Sequence, residues 1–473
     1  MRRVTRVVIV GGGPGGYEAA LVAAQLGGEV TLVDTDGIGG SAVLTDCVPS
    51  KTLIATAEVM TGVRESNELG IRFGARGDSD AENAVHVDLA AVNGRVLDLA
   101  DRQSGDIASR LASQGVRIVR GRGRLDGRER VIAETEDGEQ GFDADVVLIA
   151  TGAHPRILPD AVPDGERILT WTQVYALDQL PEKLIVVGSG VTGAEFASAY
   201  DALGAEVVLV SSRDRVLPGE DADAAQVLED VFDRRGLTVM SRARAASVTR
   251  DGDVVTVRLT DGREVTGSHC LLAVGSIPNT AGMGLEEAGV ELDRGGFITV
   301  DKVSRTSARG VYAAGDCTGV LMLASVAAMQ GRIAMWHALG DAVAPLDLKI
   351  VSSNVFTAPE IATVGMSQAQ ADVAVPKVAT VKLALQGNAR AKMQGLHDGF
   401  VKVFCLPVTG IVVGGVVVAP RASELIYPLA IAVSQRLTVD QVAASFTVYP
   451  SVSGSLAEAA RQLHLHGEAL TRA

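Results

Sequence analysis

The chain has 473 residues, of which 47% are hydrophobic, 21% charged and 4% aromatic. That length fits roughly three domains, at about 150 residues each, with enough apolar side chains to bury a substantial core. A net charge of −14 excludes the basic surface that nucleic-acid binding needs, and the apolar runs are too short to span a bilayer.

Residues 4–10 read as a buried strand, because a short continuous apolar run bounded by glycine fits a parallel sheet. Gly11-Gly12-Gly13-Pro14-Gly15-Gly16 follows, then an apolar-periodic helix to about residue 27, and a second strand over 29–33 that ends at Asp34. Strand, glycine turn, helix, strand and acid, in this order, are the pattern of a dinucleotide-binding unit. Gly11, Gly13 and Gly16 allow the tight turn and let the backbone approach a pyrophosphate, which the free N–H groups of the helix start attract. The Asp34 carboxylate is positioned for a ribose diol. Residues 39–51 then read Gly-Gly-Ser-Ala-Val-Leu-Thr-Asp-Cys-Val-Pro-Ser-Lys, with Cys47 the single thiol of the stretch. Residues 87–114 read as a helix. Short strands are predicted over 117–119, 121–125, 130–133 and 145–149, the last running into Ala150-Thr151-Gly152.

The glycine pattern occurs a second time. Residues 184–187 form a strand, Gly188-Ser189-Gly190-Val191-Thr192-Gly193 opens a helix, and 206–210 is the next strand. One such motif is a weak signal; two in one chain, each with correct flanks, specify two dinucleotide sites. The copies differ at the acid. Asp34 lies eighteen positions after Gly16, and the same offset from Gly193 reaches Ser211, with Ser212, Arg213 and Arg215 behind it. A carboxylate there binds a free 2′-hydroxyl and repels a 2′-phosphate, whereas hydroxyls beside a guanidinium accept the phosphate. The second site is therefore expected to take NADPH, with NADH possible.

Strands near 253–259 and 263–266 precede Leu271-Leu272-Ala273-Val274-Gly275, and 311–316 reads as a further strand ending in Gly315-Asp316. Beyond residue 346 no glycine fingerprint recurs and strands mix with helices, which marks a separate C-terminal domain. Its apolar run 411–419 reads as a buried strand. Four cysteines, Cys47, Cys270, Cys317 and Cys405, lack metal-ligand spacing; no metal is expected, and a reducing cytoplasm fits them. The last three sit in apolar contexts and read as core. His154 reads as structural, and His464 with His466 as a solvated tail.

In order along the chain, these motifs resemble those of the flavoprotein disulfide reductases (lipoamide dehydrogenase, glutathione reductase, mercuric reductase), and the resemblance covers essentially the whole chain. Residues 11–16 with Asp34 resemble the family's FAD fingerprint, and Pro49-Ser50-Lys51 the start of its redox helix. Thr151-Gly152 and Gly275 fall at the two crossings between nucleotide domains. Residues 188–193 with Glu195 resemble the NAD(P)H fingerprint. Asp316 falls where the ribityl chain is held, Ala324 where a helix start faces the flavin pyrimidine, and 356–362 at the opening of the dimerisation domain. Gly123, in the strand over 121–125, is counted with the cofactor-binding residues. The implied fold is α/β, with two Rossmann-like dinucleotide-binding domains and a C-terminal α+β dimerisation domain. Residues 1–150 and 276–346 would bind FAD, 151–275 NAD(P)H, and 347–473 would form a homodimer.

The departures from the family pattern concern one function. In the family, two cysteines separated by four residues form a disulfide beside the flavin; here Cys47 occupies the second position and Ala42 the first. The partner subunit's C-terminal segment normally supplies His-Pro-Thr and then a glutamate. Here the run is Tyr449-Pro450-Ser451-Val452-Ser453-Gly454, with Tyr449 at the histidine and Gly454 at the glutamate. The interchange thiol, its base and the orienting carboxylate are thus lost together, while the hydride-accepting half is kept. By resemblance, Lys51 lies beside flavin N5, paired with Glu195, and Cys47 lies under the ring. Positive surroundings are expected to favour the Cys47 thiolate, which tunes the flavin and carries no electrons. The expected function is an FAD-dependent NAD(P)H:quinone oxidoreductase, cytoplasmic, with no membrane insertion and no nucleic-acid partner. Ala42 and Gly454 would leave room for a flat two-electron acceptor, and Tyr449 would donate a hydrogen bond to it. Three alternatives stand beside this one: a soluble pyridine nucleotide transhydrogenase, disulfide or metal-ion reduction by Cys47 with a small thiol, and a flavin-binding non-catalytic interaction subunit.

Overall fold

In a computed structural model that describes residues 4–71 and 85–464, the strand Arg6–Val10 is the centre of a five-stranded parallel sheet. The order is Val311–Ala313, Val146–Ile149, Arg6–Val10, Glu29–Asp34, Arg117–Arg120. Val7, Val8, Ile9 and Val10 are all buried, on both faces, which is why the run shows no polar alternation. Helix Pro14–Gln25 packs against helix Ala324–Ala338 so closely that a Cβ on Gly331 would stand 2.0 Å from the Gly15 carbonyl oxygen.

A second five-stranded parallel sheet repeats the arrangement around Lys183–Val187, in the order Thr238–Met240, Glu206–Val210, Lys183–Val187, His269–Leu272, Ile168–Thr170. The repeat is local as well as global. A Cβ on Gly16 would meet the Gly11 carbonyl oxygen at 1.8 Å, and a Cβ on Gly193 would meet that of Gly188 at 1.8 Å. Any larger residue at either third glycine would push the helix off its strand.

The two crossings between the sheets are tied into an antiparallel ribbon, Ala153–Pro155 against Ser276–Pro278. Thr151 Oγ1 donates to the Asn279 carbonyl at 2.8 Å, and Asn279 Nδ2 donates to the Thr151 carbonyl at 2.8 Å. His154 Nδ1 lies 2.6 Å from Asn279 Oδ1, the structural use expected of it. Gly152 and Gly275 both take left-handed backbone, φ 69° and 94°, where a side chain would be strained.

The C-terminal unit is a five-stranded antiparallel sheet, in the order Ser352–Val355, Glu360–Gly365, Val412–Ala419, Phe400–Cys405, Ala379–Ala384. Helices Tyr427–Ser434 and Gly454–Gln462 cover it, with Leu429, Leu456 and Ala459 in one buried cluster with Val403 and Val417. The strand expected over 411–419 is present and buried. Strands Gly138–Asp143 and Ala245–Asp251 were not foreseen. The first has no buried residue and the second only Val248, so neither carries an apolar alternation.

Candidate active site

Both glycine loops point helix starts at open space. Gly13 and Gly190 precede helices Pro14–Gln25 and Val191–Leu203; neither offers a side-chain cap, and a Cβ at either would meet nothing within 4 Å. Uncapped N–H groups facing an open concavity fit a pyrophosphate. Asp34 is fixed at the end of its strand, accepting the N–H groups of Gly12 at 2.6 Å, Gly37 at 2.5 Å and Asp36 at 3.0 Å. Burial nevertheless pushes its pKa up.

At the matching place in the second unit, Ser211 is fully buried. Its Oγ lies 2.6 Å from Ser189 Oγ and accepts the Arg213 N–H at 3.1 Å. The Ser211 hydroxyl is therefore committed to bracing the loop, and the groups that face solvent are Ser212 and Arg213. Arg215 turns instead toward the carbonyls of Pro218 and Glu220, at 3.5 and 3.4 Å. Gly123 has a packing reason to be glycine, since a Cβ there would stand 2.6 Å from Val10 Cγ1.

Three distant segments meet at Lys51, one turn after Cys47 on helix Cys47–Glu65. Its Nζ lies 2.8 Å from Glu195 Oε2 on helix Val191–Leu203, and 4.9 Å from the Phe356 ring centroid. The other Glu195 oxygen accepts the Phe356 N–H at 2.9 Å. Burial works against the ammonium, but Glu195, which both pairs with it and accepts its hydrogen bond, outweighs this and with Asp46 holds the Lys51 pKa above its ordinary value.

Burial pushes the Cys47 thiol up to about 12, the Asp46 carboxyl adds to this, and Lys51 only partly opposes it. The chain's own groups thus favour the neutral thiol, so the expected thiolate would have to be stabilised by the flavin itself. Cys270, Cys317 and Cys405 are buried and free, as core residues. Asp316 sits in the short turn Asp316–Thr318; burial, with Asp46 nearby, pushes it up to about 6. Ala324 begins helix Ala324–Ala338, again with no side-chain cap. Asp46 is a residue that sequence reasoning passed over. Its signal was an acid immediately before the single thiol of the segment.

Tyr449 lies apart from this cluster's hydrogen bonds. Its side chain is 85% exposed, beside the equally exposed Phe446 and Val448, and has no hydrogen-bond partner among the described residues. Gly454 opens the final helix, its N–H donating to Ser451 Oγ at 3.1 Å. His464 is not a free tail, since its Nδ1 lies 2.5 Å from Asp440 Oδ1; His466 lies outside the described residues. Among the described residues no helix is long and apolar enough to cross a membrane, and no cluster of three or more His, Cys, Asp or Glu is poised for a metal.

Residues 5–331 match the family described as pyridine nucleotide-disulphide oxidoreductase, and residues 351–460 match its dimerisation domain. The chain belongs to the pyridine nucleotide-disulphide oxidoreductase family. An NAD(P)H dehydrogenase (quinone) of Mycobacterium tuberculosis is 56% identical over 475 residues, covering 98% of this chain and 95% of the relative. A crystal structure of LpdA from the same organism superposes with a TM-score of 0.92 at 56% identity, over 98% of this chain and all of that one, 100%. A dihydrolipoyl dehydrogenase of Chlorobaculum parvum is 34% identical over 459 residues, 96% of each chain. The HOCl-induced flavoprotein disulfide reductase RclA of Escherichia coli, 23% identical with a TM-score of 0.85 over 96% of this chain and 99% of that one, shares the fold.

As a pyridine nucleotide-disulphide oxidoreductase the chain is an oxidoreductase of FAD and a pyridine nucleotide, with a dimerisation domain. The open first loop, its anchored Asp34 and the half-buried Asp316 fit FAD; the open second loop fits the nucleotide. What the chain lacks is the family's disulphide. Ala42, on the short helix Gly40–Leu44, offers a methyl group where a second sulfur would be required.

Proposed function

We propose that the chain is an FAD-dependent NAD(P)H:quinone oxidoreductase with no disulfide reductase activity. The observation that carries this is a lone Cys47, with Ala42 at the place of a second sulfur, beside an intact Lys51–Glu195 pair at 2.8 Å. The groups that receive a hydride are kept and those that pass electrons to a disulfide are gone. The name of the Mycobacterium tuberculosis relative, 56% identical over nearly its whole length, supports the quinone as acceptor.

In this reading residues 11–16, Asp34 and Asp316 hold FAD, which supplies hydride acceptance and two-electron delivery when bound. Lys51 stabilises the negative charge that develops beside it, and Glu195 keeps Lys51 charged and in place. Ser212 and Arg213 favour NADPH over NADH through the 2′-phosphate. The FAD-binding unit comprises residues 1–150 and 276–346, and the nucleotide-binding unit 151–275. We infer a homodimer in which a second copy covers the exposed Phe446, Val448 and Tyr449, and a reducing cytoplasm in which four unpaired thiols persist.

The test is anaerobic reduction of the purified protein with NADPH, followed by mixing with a naphthoquinone, oxidised lipoamide or an NAD analogue in parallel. Rapid reoxidation by the quinone and none by lipoamide is expected. Rapid reoxidation by lipoamide would sink the reading, and preferred transfer to the NAD analogue would make the protein a transhydrogenase.

A further inference from the structure

Strand Ser352–Val355 is an edge of the C-terminal sheet, and the residues that lead out of it have no ladder for their backbone groups to join. Those of residues 356–358 are taken up by the nucleotide unit instead. The Phe356 N–H donates to Glu195 Oε1 at 2.9 Å, the Ala358 N–H donates to Ser198 Oγ at 3.1 Å, and the Ala358 carbonyl accepts from Arg235 Nη1 at 3.2 Å. Between them Thr357 turns inward, 4% exposed, its Oγ1 donating to the Pro359 carbonyl at 2.7 Å. Arg235 extends the chain of contacts, because its Nη2 lies 3.0 Å from Oε1 of Glu65, the last residue of helix Cys47–Glu65.

Glu195 and Ser198 stand three positions apart on helix Val191–Leu203 and therefore on one face of it. Both are buried, and both are held by residues 356–358. Two bonds to one face fix the rotation of the helix about its axis, which is what aims the Glu195 carboxylate. Phe356 reaches both members of the ion pair. Its backbone N–H holds the carboxylate, and its ring centroid lies 4.9 Å from Lys51 Nζ. The ammonium has three N–H donors, and Glu195 takes one of them at 2.8 Å. A second carboxylate would neutralise it further, whereas an aromatic ring attracts the cation and leaves its charge for the group it serves.

We propose that Phe356 is a positioning residue of the hydride-accepting site, acting through Lys51 by holding the ammonium where negative charge develops on reduction. Its backbone sets the acid of the pair and its ring sets the base. The C-terminal unit thereby helps to build the site of its own chain, apart from anything a second copy contributes. An ammonium already in place needs no reorganisation as charge develops, whereas one free to swing must first be gathered. Leucine at this position keeps the backbone hydrogen bond and much of the apolar volume, and loses the ring. The proposal rests on the reading of Lys51 as the group beside the flavin and adds the residue that holds it there.

The experiment compares the wild-type holoenzyme with Phe356→Leu, Phe356→Tyr, Lys51→Met and the double variant Phe356→Leu with Lys51→Met. The midpoint potential of the bound flavin is measured by equilibration with a reference dye, and the limiting rate and apparent affinity by anaerobic reduction with NADPH. Phe356→Leu is expected to lower the potential, by less than Lys51→Met does, and to slow the limiting rate about 10-fold with the apparent affinity unchanged. Phe356→Tyr, which keeps the ring, should stay near wild type in both. On the Lys51→Met background Phe356→Leu should change neither, because a residue that acts through Lys51 has nothing left to act on. A wild-type rate and potential in Phe356→Leu, or an equal further loss in the double variant, overturns the proposal and leaves the reading of Lys51 standing. A wild-type rate and potential in Lys51→Met removes that reading itself, and the two failures are thereby distinct. If Phe356→Leu does not retain flavin, Ser198→Ala takes its place, since it frees the Ala358 N–H from the helix. A slower rate that Lys51→Met abolishes as a difference then supports the proposal, and a wild-type rate overturns it.

Discussion

Nζ of Lys51 lies 2.8 Å from Oε2 of Glu195, although 144 positions separate them in sequence. Glu195 is anchored at both oxygens, since Oε1 accepts the Phe356 N–H at 2.9 Å, so the ammonium is held in one place as well as kept charged. Lys51→Met is expected to slow flavin reduction by NADPH on the order of 100-fold, the usual cost of removing a preorganised positive group. Glu195→Gln keeps the shape but removes the charge that opposes burial. The Lys51 pKa should then fall, and the reduction rate should decline as pH rises through the new value. Stopped-flow reduction across pH measures both, and a pH-independent rate in Glu195→Gln would refute the assignment.

The neighbouring second nucleotide loop separates bracing from selectivity. Ser211 is buried with its hydroxyl committed to Ser189 and Arg213, whereas Arg213 presents its side chain to solvent. Arg213→Ala is expected to raise KM for NADPH roughly 10–100-fold, the loss of a charge-assisted hydrogen bond, and to leave KM for NADH alone. Ser211→Ala should disturb both nucleotides equally. Steady-state kinetics with each nucleotide decides between them; equal effects of Arg213→Ala on both would remove the basis for NADPH preference.

The dinucleotide loops were legible in the sequence because glycine there answers a steric demand, with 1.8 Å separations that no side chain survives. The Lys51–Glu195 pair was reached through family resemblance, since nothing local links positions so far apart. Asp46 was passed over because aspartate before a helix reads as a cap, and only the structure shows the cap unmade. Lys402 was passed over for a related reason. In Phe400–Cys405 an isolated lysine reads as a solvent-facing position, yet it is 2% exposed and its partners lie on another unit.

Lys402 Nζ lies 2.7 Å from Asp221 Oδ2 and 2.7 Å from Asp223 Oδ2. Asp221 also caps helix Ala222–Arg235, so the C-terminal sheet grips the nucleotide unit at the start of that helix. Lys402→Met leaves buried carboxylate charge without its ammonium and is expected to cost about 3–5 kcal/mol. Denaturant unfolding should show a lower midpoint for this variant, larger than that of any exposed Lys→Met control. An unchanged midpoint would show that the cluster contributes no net stability.

Ala42 stands where a second sulfur would restore the family's disulphide. Ala42→Cys is expected to form a bond with Cys47 under oxidising conditions, so that thiol titration finds five thiols in the reduced variant, one more than the four of the natural chain, and three when it is oxidised. Lipoamide reduction should nevertheless stay absent. Tyr449 and Gly454 supply neither the base nor its orienting carboxylate, and a dithiol without a base lacks the proton transfer that exchange requires. Lipoamide turnover by Ala42→Cys alone would show that the missing thiol was the whole difference.

Asp316 sets binding against stability. Burial raises it to about 6, above the 3.8 of an exposed carboxyl, so the folded chain holds this proton more tightly than the unfolded chain. Stability from this group is therefore fully present below pH 3.8 and is lost as pH rises through about 6, a total of about 3 kcal/mol for two pH units. Asp316→Asn removes the ionisation. In FAD-free protein its melting temperature should exceed that of wild type at about pH 7.5, and the gap should close towards about pH 4. FAD affinity should move the opposite way, because the carboxylate that costs stability is the one placed for the ribityl hydroxyls. Thermal melts at the two pH values, with flavin binding measured on the same samples, test both signs together. A variant that is no more stable than wild type at the higher pH would mean that the ionised carboxylate is already compensated within the protein.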